Sequence, residues 1–71
     1  MFMSKIQIHY NGAAYELDAG ESILDLLAAQ NIDPAHVVVE HNTSILKPAE
    51  LSSTILQKDD SLEVLRFVGG G

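Results

Sequence analysis

Apolar and polar residues alternate strictly through Lys5-Ile6-Gln7-Ile8-His9-Tyr10, with Ile6, Ile8 and Tyr10 on one side and Lys5, Gln7 and His9 on the other. A period of two is that of a β-strand with one buried face. Asn11-Gly12 follows, the dipeptide that best tolerates the paired positive φ angles of a type I′ hairpin turn. Ala14-Tyr15-Glu16-Leu17 then alternates again as the returning strand, and Asp18-Ala19-Gly20-Glu21 breaks it. Beyond this point the period changes. Ile23, Leu26, Leu27 and Gln30 fall at i, i+3, i+4 and i+7, with Leu24 and Ala28 broadening the stripe. That spacing predicts a short amphipathic helix, apolar over more than half its surface. Ser22, with Asp25 three residues on, has the form of a capping box, and Asn31 and Pro34 stop the helix.

The β-branched run Val37-Val38-Val39 predicts a buried strand. Ile45-Leu46-Lys47 predicts a short one, placed at a sheet edge because Pro48 ends it. Residues 49–55 fit either turns or one helical turn, and Lys58-Asp59-Asp60-Ser61 is a tight turn. Residues 62–68 form a last strand, apolar on both faces as a central strand is. One helix laid across one sheet buries the apolar side of each in two layers. If the first and last strands are neighbours they run parallel, the helix supplying the long crossover. The fold class is therefore α+β, a β-grasp with a mixed four- to five-stranded sheet and one main helix packed across it. Residues 1–68 are expected to form a single domain, followed by a short tail at 69–71.

Composition narrows the function. A chain of 71 residues allows one small domain, with little depth for a desolvated catalytic pocket. Ten acidic against four basic residues give a net charge of −6, the opposite of a nucleic-acid binder's basic footprint. There is no Cys, which excludes a disulfide framework, a thiol nucleophile and a thiolate metal site. The apolar runs are too short to span a membrane, and Met1-Phe2-Met3-Ser4-Lys5 leads straight into a strand without a secretory signal. The expectation is a cytoplasmic partner or carrier, not an enzyme, with no nucleic-acid or membrane partner.

The last three residues carry the chemistry. Gly69, Gly70 and Gly71 pack nothing, but without a Cβ the chain can enter a channel too narrow for any side chain. They also present the Gly71 α-carboxylate at the end of an arm. A carboxylate is a poor electrophile until its oxygen becomes a leaving group, and acyl-adenylation by ATP achieves this. Sulfur can then take the acyl group to give a thiocarboxylate, or an amine can take it to give an amide. Neither step needs a catalytic group from this chain, and the division of labour is that of a group carrier.

From Lys5-Ile6-Gln7-Ile8 and Asn11-Gly12, through Ser22-Ile23-Leu24-Asp25-Leu26-Leu27, to Asp60-Ser61-Leu62-Glu63-Val64-Leu65-Arg66-Phe67-Val68-Gly69-Gly70-Gly71, the whole chain resembles the ThiS family of sulfur carrier proteins. The resemblance implies a role in thiamine biosynthesis. An E1-like adenylyltransferase, using ATP, activates the terminal glycine, a persulfide sulfur donor converts it to a thiocarboxylate, and thiazole synthase takes the sulfur. By position, Gly71 is the modified residue, Gly69 and Gly70 thread into the partner, and no cofactor is bound by the carrier itself. Two turns depart from the family pattern. Asn42-Thr43-Ser44 stands where the family usually has Asn-Gly-Glu, and Lys58-Asp59-Asp60 where it usually has Asp-Gly-Asp. Three other functions fit the same architecture: a carrier for another sulfur pathway of the molybdopterin type, a ubiquitin-like protein modifier, and an interaction module with an inert tail.

The remaining polar residues have plain structural readings. His9, His36 and His41 lie on separate elements and form no expected metal site. Asp59, Asp60, Asp18 and Glu21 are expected to be solvated turn acids. Leu65 is assigned to the core. Phe67 is divided between the core and an anchor in a partner's groove, where aromatic residues dominate binding. Arg66 is a solvated strand residue, or else the partner of an acidic group on the activating enzyme.

Overall fold

The structure is a computed structural model that describes residues 4–67; residues 1–3 and Val68, Gly69, Gly70 and Gly71, which include both ends of the expected 1–68 domain and the whole 69–71 segment, lie outside the described residues. Strands β1 (Lys5–Tyr10) and β2 (Ala13–Asp18) pair antiparallel, with Ile6 opposite Leu17 and Ile8 opposite Tyr15. Asn11 and Gly12 take φ values of 49° and 83°, the left-handed pair a type I′ turn requires. Helix α1 (Ile23–Ala29) starts at the expected capping box: Asp25 N–H donates to the Ser22 hydroxyl at 3.1 Å, and Ser22 N–H donates to the Asp25 carboxylate at 2.9 Å. The next free helix donors, Ile23 N–H and Leu24 N–H, reach the carbonyls of Thr54 and Leu51. The segment at 49–55 thus serves the helix. It is a 3₁₀ turn (Pro48–Glu50) followed by further turns, with Leu51 buried. Asn31, at φ 57°, ends the helical run.

The apolar stripe of α1 is narrower than its sequence predicts. Ile23, Leu26 and Leu27 are buried, whereas Leu24 and Ala28 are exposed. The helix meets one sheet on one side, so only the residues at the centre of the stripe find partners.

Strands β3 (Val37–His41), β4 (Ser44–Leu46) and β5 (Ser61–Arg66) complete a five-stranded sheet of order β2-β1-β5-β3-β4. β5 runs parallel to β1 and antiparallel to β3, and β4 is the edge expected from Pro48. A mixed sheet crossed by one helix is the β-grasp. The core is formed by Ile8 and Leu17 of the hairpin, the three buried helix residues, Val37 and Val39, Leu62 and Val64, with Leu51 and Leu56 closing one end.

Leu65 does not belong to that core. It is 59% exposed, because Leu62 and Val64 point to the helix and alternation turns Leu65 to the other face. Centrality in the sheet buries the backbone of β5 on both edges but its side chains on one face only.

Candidate functional site: the open sheet face and the root of the tail

Each strand near the chain's end turns alternate residues away from the helix. On β5 these are Glu63 and Leu65, on β3 they are Val38 and Glu40, and on β4 it is Ile45. Val38 sits directly opposite Leu65, and Ile45 opposite Glu40. Phe67 continues the outward series and is 61% exposed, while Ile45 is 71% exposed. Exposed large apolar side chains gathered on one face mark an interaction surface. Phe67 therefore lies outside the core, the first of its two expected places.

The backbone beneath this face is firmly held. Phe67 N–H donates to the His36 carbonyl at 3.0 Å, extending the β3–β5 ladder past the end of β5. On the other side β1 has already turned away, and the Asn11 side chain substitutes for it. Val64 N–H donates to Asn11 Oδ1 at 2.7 Å, and Asn11 Nδ2 donates back to the Val64 carbonyl at 3.4 Å. Asn11 has a turn signature in the sequence; its second task, bracing the strand that leads to the tail, needs a partner 53 residues away.

An open groove of about 460 Å³ runs beside the root of the tail, lined by Asn31, Ile32, Asp33, His36, Arg66 and Phe67. Its volume exceeds the expectation for so short a chain, but it is a surface groove. The Asp33 and His36 side chains, 3.7 Å apart, are both largely exposed. Arg66 is exposed on its wall and makes no ion pair among the described residues. The structure thus brings Arg66 and Phe67 together at the end of β5; Gly69, Gly70 and Gly71 lie outside the described residues.

At the opposite end of β5 a polar clasp holds the strand's start. His41 Nε2 lies 2.8 Å from Asp60 Oδ2, Asn42 Nδ2 donates to Asp60 Oδ1 at 3.0 Å, and Gln57 N–H donates to Asp60 Oδ2 at 2.9 Å. Ser61 N–H in turn donates to Asn42 Oδ1 at 2.8 Å. Asp60 is buried, which corrects its reading as a solvated turn acid. Burial alone would push its carboxyl up, but the bonds from His41, Asn42 and the Gln57 backbone overcome this and hold it below the usual carboxylate value. His41 is likewise half-buried and committed to this clasp. No group of three metal-ligating side chains occurs among the described residues, and no described helix is long and apolar enough to cross a membrane.

Val38, Glu40, Ile45, Glu63 and Asn11 are the residues of this region that sequence reasoning missed. The signal for Glu63 and Leu65 was present: counting alternately from Leu62 sets both on the outward face. Pairing of Val38 with Leu65 is a matter of register between strands far apart in the chain, which periodicity does not encode.

Comparison with known proteins agrees with this geometry. The ThiS family profile matches residues 8–71. The sulfur carrier protein ThiS of Bacillus subtilis is 32% identical over 66 residues, covering 93% of this chain and 98% of that protein. A thiazole synthase of Magnetococcus marinus is 35% identical over 66 residues; these make up 93% of this chain but 20% of that protein, so the chain spans about a fifth of its length. Among solved structures, the crystal structure of the thiamine biosynthesis protein ThiS from Geobacter metallireducens superposes with a TM-score of 0.80 at 28% identity, over 93% of this chain and 100% of that one. With a β-grasp fold, a profile match through its last residue and a full-length relative above 30% identity, the chain belongs to the ThiS family.

Proposed function

We propose that this protein is a sulfur carrier in thiamine biosynthesis, acting as co-substrate of its partner enzymes and working through the α-carboxylate of Gly71. The observation that carries the reading is that the ThiS match runs through Gly69, Gly70 and Gly71, immediately after a braced strand end bearing exposed Leu65 and Phe67. An E1-like adenylyltransferase transfers AMP from ATP to the carboxylate and releases pyrophosphate. The terminal sulfur of a persulfide donor attacks the acyl carbon and expels AMP. A thiol then cleaves the resulting disulfide, leaving the thiocarboxylate on Gly71. Thiazole synthase is the acceptor, a role supported by the occurrence of a similar segment in a thiazole synthase chain. Residues 69–71 serve as the tail that enters each active site, and the setting is the cytoplasm. The chain's own contribution is binding and presentation: the apolar face at Val38, Ile45, Leu65 and Phe67 docks against the enzyme that holds the tail.

Intact-mass measurement after incubation with ATP, the adenylyltransferase and a persulfide donor tests this. A gain equal to replacement of one oxygen by sulfur, lost on deletion of Gly71, is expected. Absence of pyrophosphate release with the full chain overturns the proposal, and an amide adduct to a protein lysine assigns the chain to the modifiers instead.

A further inference from the structure

Within the open face lies a pair of like charges. Glu40 on β3 is directly opposite Glu63 on β5, and both are half-buried. Directly opposed residues hold their Cβ atoms about 4.5–5.5 Å apart, and like charges at that spacing destabilise a sheet. Among the described residues neither carboxylate forms an ion pair. The nearest cationic candidates by register are His9, opposite Ser61 on β1, and Lys47, two residues past Ile45; neither comes within ion-pair distance of Glu40 or Glu63. The pair is bordered by Ile45 on one side and by the Val38–Leu65 rung on another.

A protein surface that covers those apolar residues also strips water from both carboxylates, which is costly unless a cation arrives with it. A guanidinium fits best, because its planar fork can donate to two carboxylates at once and it sheds water more readily than an ammonium. Gly71 is four residues past Phe67, a reach of at most about 14 Å, so an enzyme holding the Gly71 carboxylate has its surface against the end of β5. The −6 net charge favours the same pairing at long range.

We propose that Glu40 and Glu63 together receive an arginine side chain of the activating enzyme, at the margin of an apolar contact formed by Val38, Ile45, Leu65 and Phe67. The proposal rests on the acyl-activation reading and is tested separately from it. The double variant Glu40→Gln with Glu63→Gln keeps shape and removes charge. Its thermal midpoint should equal or exceed that of the parent, since a repulsion is relieved. Its affinity for the purified E1-like adenylyltransferase, measured by calorimetry, should fall about tenfold, with a weaker dependence on salt. Pyrophosphate release at saturating carrier should persist, which separates failure to dock from failure to be activated. Unchanged affinity overturns the proposal while leaving the carrier reading intact. A lowered melting midpoint, or a loss of affinity confined to thiazole synthase, overturns it as well.

Discussion

Two residues show how local chemistry and function diverge. Thr43 occupies φ 74° in the β3–β4 turn, a left-handed conformation that is costly for any side chain and most of all for a β-branched one. The family usually has glycine there, and the structure shows why. Thr43→Gly should raise stability by about 0.5–1 kcal/mol, read as a shift of the urea midpoint at constant slope. A midpoint that falls would show that the Thr43 side chain compensates for its backbone. Phe67 presents the converse case, a large apolar side chain that contributes little to folding because it is mostly in water. Phe67→Ser should leave stability within about 0.5 kcal/mol of the parent while weakening the activating enzyme's binding by tenfold or more, as loss of an aromatic anchor does. Equal loss of stability and binding would return Phe67 to the core.

At the scale of elements, β5 is the strand that precedes the terminal glycines and is held at both ends by side chains from elsewhere. Asn11 braces it near the tail, and Asp60 with His41 and Asn42 clasps its start. The clasp predicts a pH dependence whose sign follows from Asp60. Its carboxyl is held below the ordinary value of 3.8, so folded protein binds the proton less readily than unfolded chain. The stabilisation is complete above that value and is lost as pH falls through the lower folded one. Denaturation midpoints followed from pH 7 downward should therefore stay level and then drop below about pH 4. Asp60→Asn should cost about 1–3 kcal/mol at neutral pH and should flatten the acid limb. An unchanged acid limb in that variant would assign the drop to other carboxylates.

Among the described residues the molecule is a two-layer fold with one buried cluster, and its reserve is small. At 71 residues total stability is on the order of 4–11 kcal/mol. Leu27, fully buried between helix and sheet, should cost about 2–5 kcal/mol on replacement by Ala. Chemical denaturation will show whether such a variant retains a cooperative transition; a cost under about 1 kcal/mol would mean the core relaxes around the gap. One layer of helix also leaves one sheet face without cover, and there Ile45, Leu65 and Phe67 stand exposed. Periodicity and punctuation determined the elements here: the strict alternation of 5–10, the Asn11-Gly12 turn, the Ser22–Asp25 box and the Pro48 edge are local signals, and local signals survive in a sequence. The three glycines at 69–71 were legible for the same reason, being adjacent to one another. What the tertiary structure alone decided was partnership across distance. It buried Asp60 against His41, gave Asn11 its second task and set Glu40 opposite Glu63. Each depends on strand register and on which sheet face the helix covers, and both are settled only when segments remote along the chain meet.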